Sequence, residues 1–177
     1  MLDDRTALAK RQKNELPEPM KSWNAVDLMA TVGKIKAEYD ATPYDLRPRE
    51  IMIDLIGLGA GVYDRCKELG LPVRGINVGE AATRENCARL WFKGREWFQD
   101  RACSMPKDDA LIAELTAPTY AFTSTVKMVV ESKADMKKRG MRSPDLADAF
   151  LLTFACPERR KVEHHRRPVQ RRSAWAA

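Results

Sequence analysis

Residues 49–78 constrain the fold of this 177-residue chain more than any other stretch. The run Ile51-Met-Ile-Asp-Leu-Ile56 is short and apolar, the pattern of a strand buried on both faces, as in a parallel sheet. Gly57-Leu-Gly-Ala-Gly61 then breaks the strand, residues 62–69 follow with a helical pattern, and Gly70 closes that helix. A second strand is expected over residues 71–78. Strand, helix and strand in this order imply a parallel pair joined by a crossover, and so an α/β domain.

The flanking segments fit that class. A short strand is expected over residues 6–10, a polar turn over 11–14, and a second extended segment over 16–23, kept to an edge by Pro17 and Pro19. Apolar residues from Val26 to Tyr39 recur with a helical period, and that helix ends before Pro43. A long helix over residues 83–101 carries Leu90, Trp91, Phe92, Trp97 and Phe98, and a shorter one covers 108–115. Residues 120–131 resemble a β-hairpin, 132–142 form a link, and a last helix covers 144–155. There is no internal repeat and no sign of a second domain.

Composition excludes several functions. The chain is 44% hydrophobic and 32% charged, as in a soluble globular protein. No apolar run approaches the about 20 residues of a membrane span, and no signal peptide opens the sequence. Cys66, Cys87, Cys103 and Cys156 are scattered, without metal-ligand spacing, and read as reduced thiols. Residues 157–177 hold seven Lys/Arg and two Asp/Glu, which is most of the net charge of +6. This tail is expected to be disordered, and serves either phosphate attraction or solubility.

Chemistry is most legible in Met141-Arg-Ser-Pro-Asp-Leu-Ala-Asp-Ala-Phe150. Ser143 is placed to cap a helix, Pro144 suits its first position, and Asp145 and Asp148 fall on one face near its positive end. Asp145 needs no function to be favourable there. Asp148 lies in a more apolar setting, where an unpaired carboxylate is costly and a cation or basic partner is expected. Asp54 ends the apolar strand, where ligands of open α/β sheets gather, although bonding to the amides of the turn would also explain it. Lys133, Lys137, Lys138 and Arg139 read as a solvated face, or, for Lys133 first, as a contact to a DNA phosphate or to the acids. Gly57, Gly59 and Gly61 miss the dinucleotide spacing, so a tight strand-to-helix turn is the better reading. Trp91 and Trp97 read as packing groups.

An ordered series of motifs then resembles one family. Ile53-Asp-Leu-Ile-Gly-Leu-Gly-Ala-Gly-Val-Tyr-Asp64, Val73-Arg-Gly-Ile-Asn-Val-Gly79, Asp109-Ala-Leu-Ile-Ala-Glu-Leu115, Tyr120-Ala-Phe-Thr-Ser-Thr125, Glu131-Ser-Lys133, Met136-Lys-Lys-Arg139 and Ser143-Pro-Asp-Leu-Ala-Asp-Ala149 are similar to the nuclease domain of tailed-phage terminase large subunits. The resemblance runs over residues 3–157. It implies an RNase H-like α/β fold, a mixed sheet flanked by helices, with residues 158–177 as the basic tail. It also implies a metal-dependent endonuclease that cuts concatemeric double-stranded DNA during genome packaging. Two Mg²⁺ or Mn²⁺ ions would be held by Asp54 and by Asp145 and Asp148, either of which could be the ligand from the last helix. Lys133, Lys137 and Arg139 would face DNA. The implied partners are the terminase small subunit, the portal protein and an ATPase domain, in the cytoplasm of a bacterial host and with no membrane.

The departures from the family pattern are as informative. The family's first catalytic Asp precedes the segment that Asp3-Asp-Arg-Thr-Ala-Leu8 resembles, so the opening strand is expected to be missing or incomplete. Val126 stands where the hairpin usually carries glycine, and Ala134 where an acid is common. A truncated or decayed prophage copy with impaired cutting is therefore expected, the alternative being a non-catalytic DNA- or partner-binding remnant.

Overall fold

The expected strand–helix–strand unit forms. In the computed structural model, which describes residues 5–24, 27–77, 81–122 and 128–155, the side chains of 81–87 excepted, β3 (Ile51–Asp54) pairs in parallel with β4 (Val73–Ile76). The register sets Ile51 beside Val73 and Asp54 beside Ile76. Between them α2 (Gly59–Glu68) starts inside the glycine run, earlier than its apolar pattern suggested, and ends at Gly70 with φ +74°. Gly57 takes φ +61°, a conformation that favours glycine. Gly59 is needed for a different reason: a side chain there would run into the carbonyl oxygen of Asp54. The glycines thus bring the helix start hard against the end of β3.

Upstream, β1 (Arg5–Leu8) and β2 (Lys21–Asn24) pair antiparallel, with Arg5 opposite Asn24 and Leu8 opposite Lys21. The predicted turn over 11–14 is present: Gln12 and Glu15 exchange backbone bonds of 2.8 and 2.9 Å around Lys13, which has φ 52°. The second extended segment is shorter than expected. Pro17 and Pro19 lack the N–H that a ladder needs, so β2 begins only at Lys21. Leu16 is instead buried and anchored by its N–H to the Ser104 carbonyl at 2.8 Å.

Next comes α1 (Leu28–Ala41), capped by Asp27, whose carboxylate accepts the Met29 N–H. The long helix α3 (Ala81–Gln99) and the shorter α4 (Asp109–Thr116) lie close to their expected positions. The hairpin strands β5 (Tyr120–Phe122) and β6 (Met128–Val130) pair antiparallel. Its connecting residues, Val126 among them, lie outside the described residues, as do Asp3, Asp4 and the basic tail.

Two expectations need correction. Residues 132–142 are not a plain link, since they contain α5 (Lys133–Lys138). Ser132 caps it by accepting the Asp135 N–H at 3.1 Å, and Ser132-Lys-Ala-Asp135 is a sequence signature for this start. The last helix, α6 (Asp145–Leu152), continues into a 3₁₀ turn at Thr153–Ala155. Its N-cap position is Pro144, not Ser143, and no side chain at the cap closes it.

Parallel and antiparallel pairing both occur, as a mixed sheet requires, but the strands are divided into the pairs β1–β2, β3–β4 and β5–β6. The interior is divided as well. One apolar cluster holds Leu16, Leu90, Trp97, Leu111, Leu146, Phe150, Leu151 and Phe154. Its centre is the fully buried Phe150, with the rings of Trp97 and Phe154 at 5.4 and 5.3 Å. Both tryptophans in α3 therefore pack as read, Trp97 inside and Trp91 against the same cluster. The second cluster holds Val32, Ile35, Ile53, Val62, Cys66 and Leu71, between α1, α2 and the β3–β4 pair. Helix α6 packs against both β1 and β3. It is the element that joins the two halves beside the candidate acids.

Candidate functional site

The N-terminal turn of α6 is the meeting point. With no capping side chain of its own, it uses Glu114 from α4, whose Oε2 accepts the N–H groups of Leu146 at 2.6 Å and Ala147 at 3.2 Å. A carboxylate is well suited there, because it satisfies orphan donors and faces the positive end of the helix dipole. The other Glu114 oxygen pairs with Arg5 Nη2 at 2.7 Å. Glu114 and Arg5 thus hold β1, α4 and α6 together. Their sequence separation leaves no local pattern by which either could be found.

The three candidate acids come to this region from two elements. Asp54, at the end of β3, accepts the Ile56 N–H at 3.1 Å through Oδ1. Asp145, first in α6, accepts the backbone N–H of Arg5 at 2.9 Å. Asp148 lies 2.6 Å from Lys133 Nζ, which reaches over from the start of α5. Lys133 thus contacts the acids, one of the two roles read for it.

The electrostatics tie the cluster together. Burial pushes the Asp148 carboxyl above its usual range; Lys133 opposes this, and the charges of Asp145 and Asp54 add to it. Burial works to lower the Lys133 pKa, but the charge and hydrogen bond of Asp148, with the charges of Asp145 and Asp54, outweigh it and raise the value. One ammonium therefore sits in the field of three carboxylates. Their arrangement is not that of a formed metal site: among the described residues, no three His, Cys, Asp or Glu side chains are grouped to hold an ion. Each acid is bonded to a different protein donor.

The other basic candidates are placed differently. Arg139 binds Glu131 through Nε at 2.7 Å and Nη2 at 2.5 Å, and donates to the Ala117 carbonyl at 3.0 Å. Glu131 also accepts the N–H and hydroxyl of Thr119, both at 3.0 Å. The Arg139 bonds, then the Thr119 N–H, hold its carboxyl down at about 2. This set locks the hairpin base to α5. Lys137 is exposed on the same helix. The glycine run forms a close turn under Asp54, with Gly61 packed against Leu28, which supports the turn reading over a nucleotide cradle. No helix among the described residues is long and apolar enough to cross a membrane.

No family model matches the sequence, and no curated protein does. Solved structures do match. The nuclease domain of the large terminase subunit of bacterial virus Sf6 superposes with a TM-score of 0.61 at 16% identity, covering 86% of this chain and 87% of that one. A mutant of that domain with manganese gives 0.61 at 17% identity, over 86% and 88%. The large terminase nuclease from thermophilic phage G20c with bound cobalt gives 0.57 at 15% identity, over 77% of this chain and 66% of that one. This chain has the RNase H-like fold of phage large-terminase nuclease domains.

Proposed function

We propose that this chain is a DNA-cutting nuclease domain of the terminase type, acting on concatemeric double-stranded DNA during packaging. The supporting observation is the Lys133–Asp148 pair at 2.6 Å, in the field of Asp145 and Asp54, within a fold shared with such nucleases. Mg²⁺ or Mn²⁺ suits carboxylate oxygens, and would supply Lewis-acid and water-activating chemistry there. In the observed arrangement the acids do not fit an ion, because Lys133, the Arg5 amide and the Ile56 amide hold them singly. The chain by itself is therefore a poor nuclease. Lys133 offsets the repulsion between the acids and a phosphate, Lys137 contributes to backbone attraction, and Arg139 acts through the hairpin base. Residues 1–157 are the nuclease-like domain, and 158–177 a basic tail. Work beside an ATPase domain, a small subunit and a portal protein in the host cytoplasm belongs to the same reading.

Mn²⁺ titration followed by water-proton relaxation tests it, together with plasmid nicking. We expect weak binding that is lost in Asp54→Ala and Asp148→Ala, and little cutting. Binding indifferent to both substitutions would overturn the proposal. It would favour a non-catalytic DNA- or partner-binding remnant, a reading supported by the protein donors that already occupy each acid.

A further inference from the structure

We infer that the groove between α3 and α4 receives an amphipathic helix of a partner protein, with apolar anchors against Phe98 and Ile112 and a carboxylate against Arg95. Helices α3 and α4 both pack on α6, and the groove between them measures about 440 Å³. Its floor is Leu151 of α6, which is buried. Gly94 keeps α3 down on that floor, since a side chain there would run into Leu151. One wall carries Trp91, Arg95 and Phe98, at the i, i+4, i+7 spacing of a single helix face. The other carries Ile112 and Leu115, at i, i+3. Phe98 is 36% exposed and Ile112 46%, so two large apolar side chains stand at the mouth. Thr116 turns its hydroxyl back onto the Ile112 and Ala113 carbonyls at 2.9 and 3.2 Å, and adds no open donor to that wall.

The shape and charge of the walls select the occupant. An extended strand would find no free ladder groups along the sides of α3 and α4, whose backbone bonds close within each helix. A helix fits, because its ridge of side chains settles between two others. From Trp91 to Phe98 the wall runs about 10 Å, two turns, which is the reach of anchors at i, i+4 and i+7. Among the described residues, Arg95 is the one charged side chain in the lining, and none pairs with its guanidinium. The complement is an acid on the same face as the anchors. A second copy meeting this groove about a two-fold axis would set Arg95 near Arg95, with no acid in either lining. Residues 157–177, with seven Lys/Arg, carry the wrong charge. Asp54, Asp145 and Asp148 line no part of the groove, so its occupation is separable from DNA cutting.

The full chain would be titrated against a dye-labelled, end-blocked Ala-based peptide of about 14 residues, with Leu at i, i+4 and i+7 and Glu at i+3. Anisotropy reads the affinity, and amide NMR shifts read the place. We expect saturable binding, with shifts centred on Gly94, Phe98 and Ile112. Ile112→Gln and Arg95→Glu change exposed side chains and should each weaken the complex at least about tenfold. A peptide with Lys in place of Glu should bind the Arg95→Glu chain and not the original one. Absence of saturable binding would overturn the inference, as would equal affinity of the original chain for the Glu and Lys peptides, which marks unspecific apolar adhesion. So would shifts at these amides that grow with chain concentration alone, since they identify a second copy as occupant. Octanoate bound there as tightly as the peptide would overturn it too, by assigning the groove to small amphiphiles.

Discussion

Lys133 Nζ lies 2.6 Å from the Asp148 carboxylate, and this ion pair joins α5 to α6. Its balance is unequal. The lysine gains from three acids, whereas burial and two neighbouring carboxylates leave Asp148 harder to ionise than usual, even with its partner present.

A stability prediction follows for Asp148. Its folded pKa is raised, so its contribution is full below the unfolded pKa and is lost as pH rises through the folded value. Asp148→Asn, neutral at every pH, should therefore raise the melting temperature at neutral pH. The gain should be on the order of 1 kcal/mol or less, because a third of the side chain remains exposed. Lys133→Ala should destabilise near neutrality and much less in acid. Thermal melts of both variants between acid and neutral pH check the signs.

Glu114 should matter more than its place in the last turn of the short helix α4 suggests. Glu114→Ala removes two N–H acceptors at the start of α6 and the partner of Arg5. A loss of about 1–2 kcal/mol is expected, with Glu114→Gln intermediate, since it keeps an acceptor but loses the charge. Denaturant unfolding measures this, and equal stability of all three chains would contradict the capping role.

At the hairpin base, the carboxyl of Glu131 is held down at about 2 by Arg139 and Thr119. A depressed carboxyl contributes above its unfolded pKa, and that contribution is lost as pH falls through the folded value. Protection of the β5–β6 amides should thus decline from about pH 4.5 toward pH 2, and Arg139→Ala should show the weaker state already at neutral pH. Amide exchange across this range is the measurement.

Gly59→Ala places a methyl against the Asp54 carbonyl, where backbone and not a flexible side chain must move. A cost of about 1–3 kcal/mol or more is expected, with disturbance of Asp54 itself. Gly33→Ala, in open space within α1, is the control and should be neutral or stabilising. Comparative unfolding of the two variants decides the point.

The strand–helix–strand unit was legible because its signals are local: an apolar run, glycines at both helix ends and a second run. The acid trio was legible as residue types, and Asp148 in an apolar helix correctly asked for a basic partner. What sequence did not convey was each acid's present bond. The Arg5 amide that holds Asp145 is 140 residues away in the chain, and Glu114 is 32 residues from the amide it caps. Helix α5 was missed although Ser132-Lys-Ala-Asp135 marks its start, because the charged residues after it have no apolar period. The first position of α6 was misassigned because Ser143 has the right side chain for a cap, yet it is buried and Glu114 fills that role from outside.

Two separate apolar clusters, with α6 packed on both β1 and β3, have a consequence for how this molecule fails. Damage to the Phe150 neighbourhood need not spread to the one around Cys66, so heating should melt the halves in separate steps rather than at one temperature. A calorimetric trace with two peaks would mark the chain as a pair of lobes that unfold in turn.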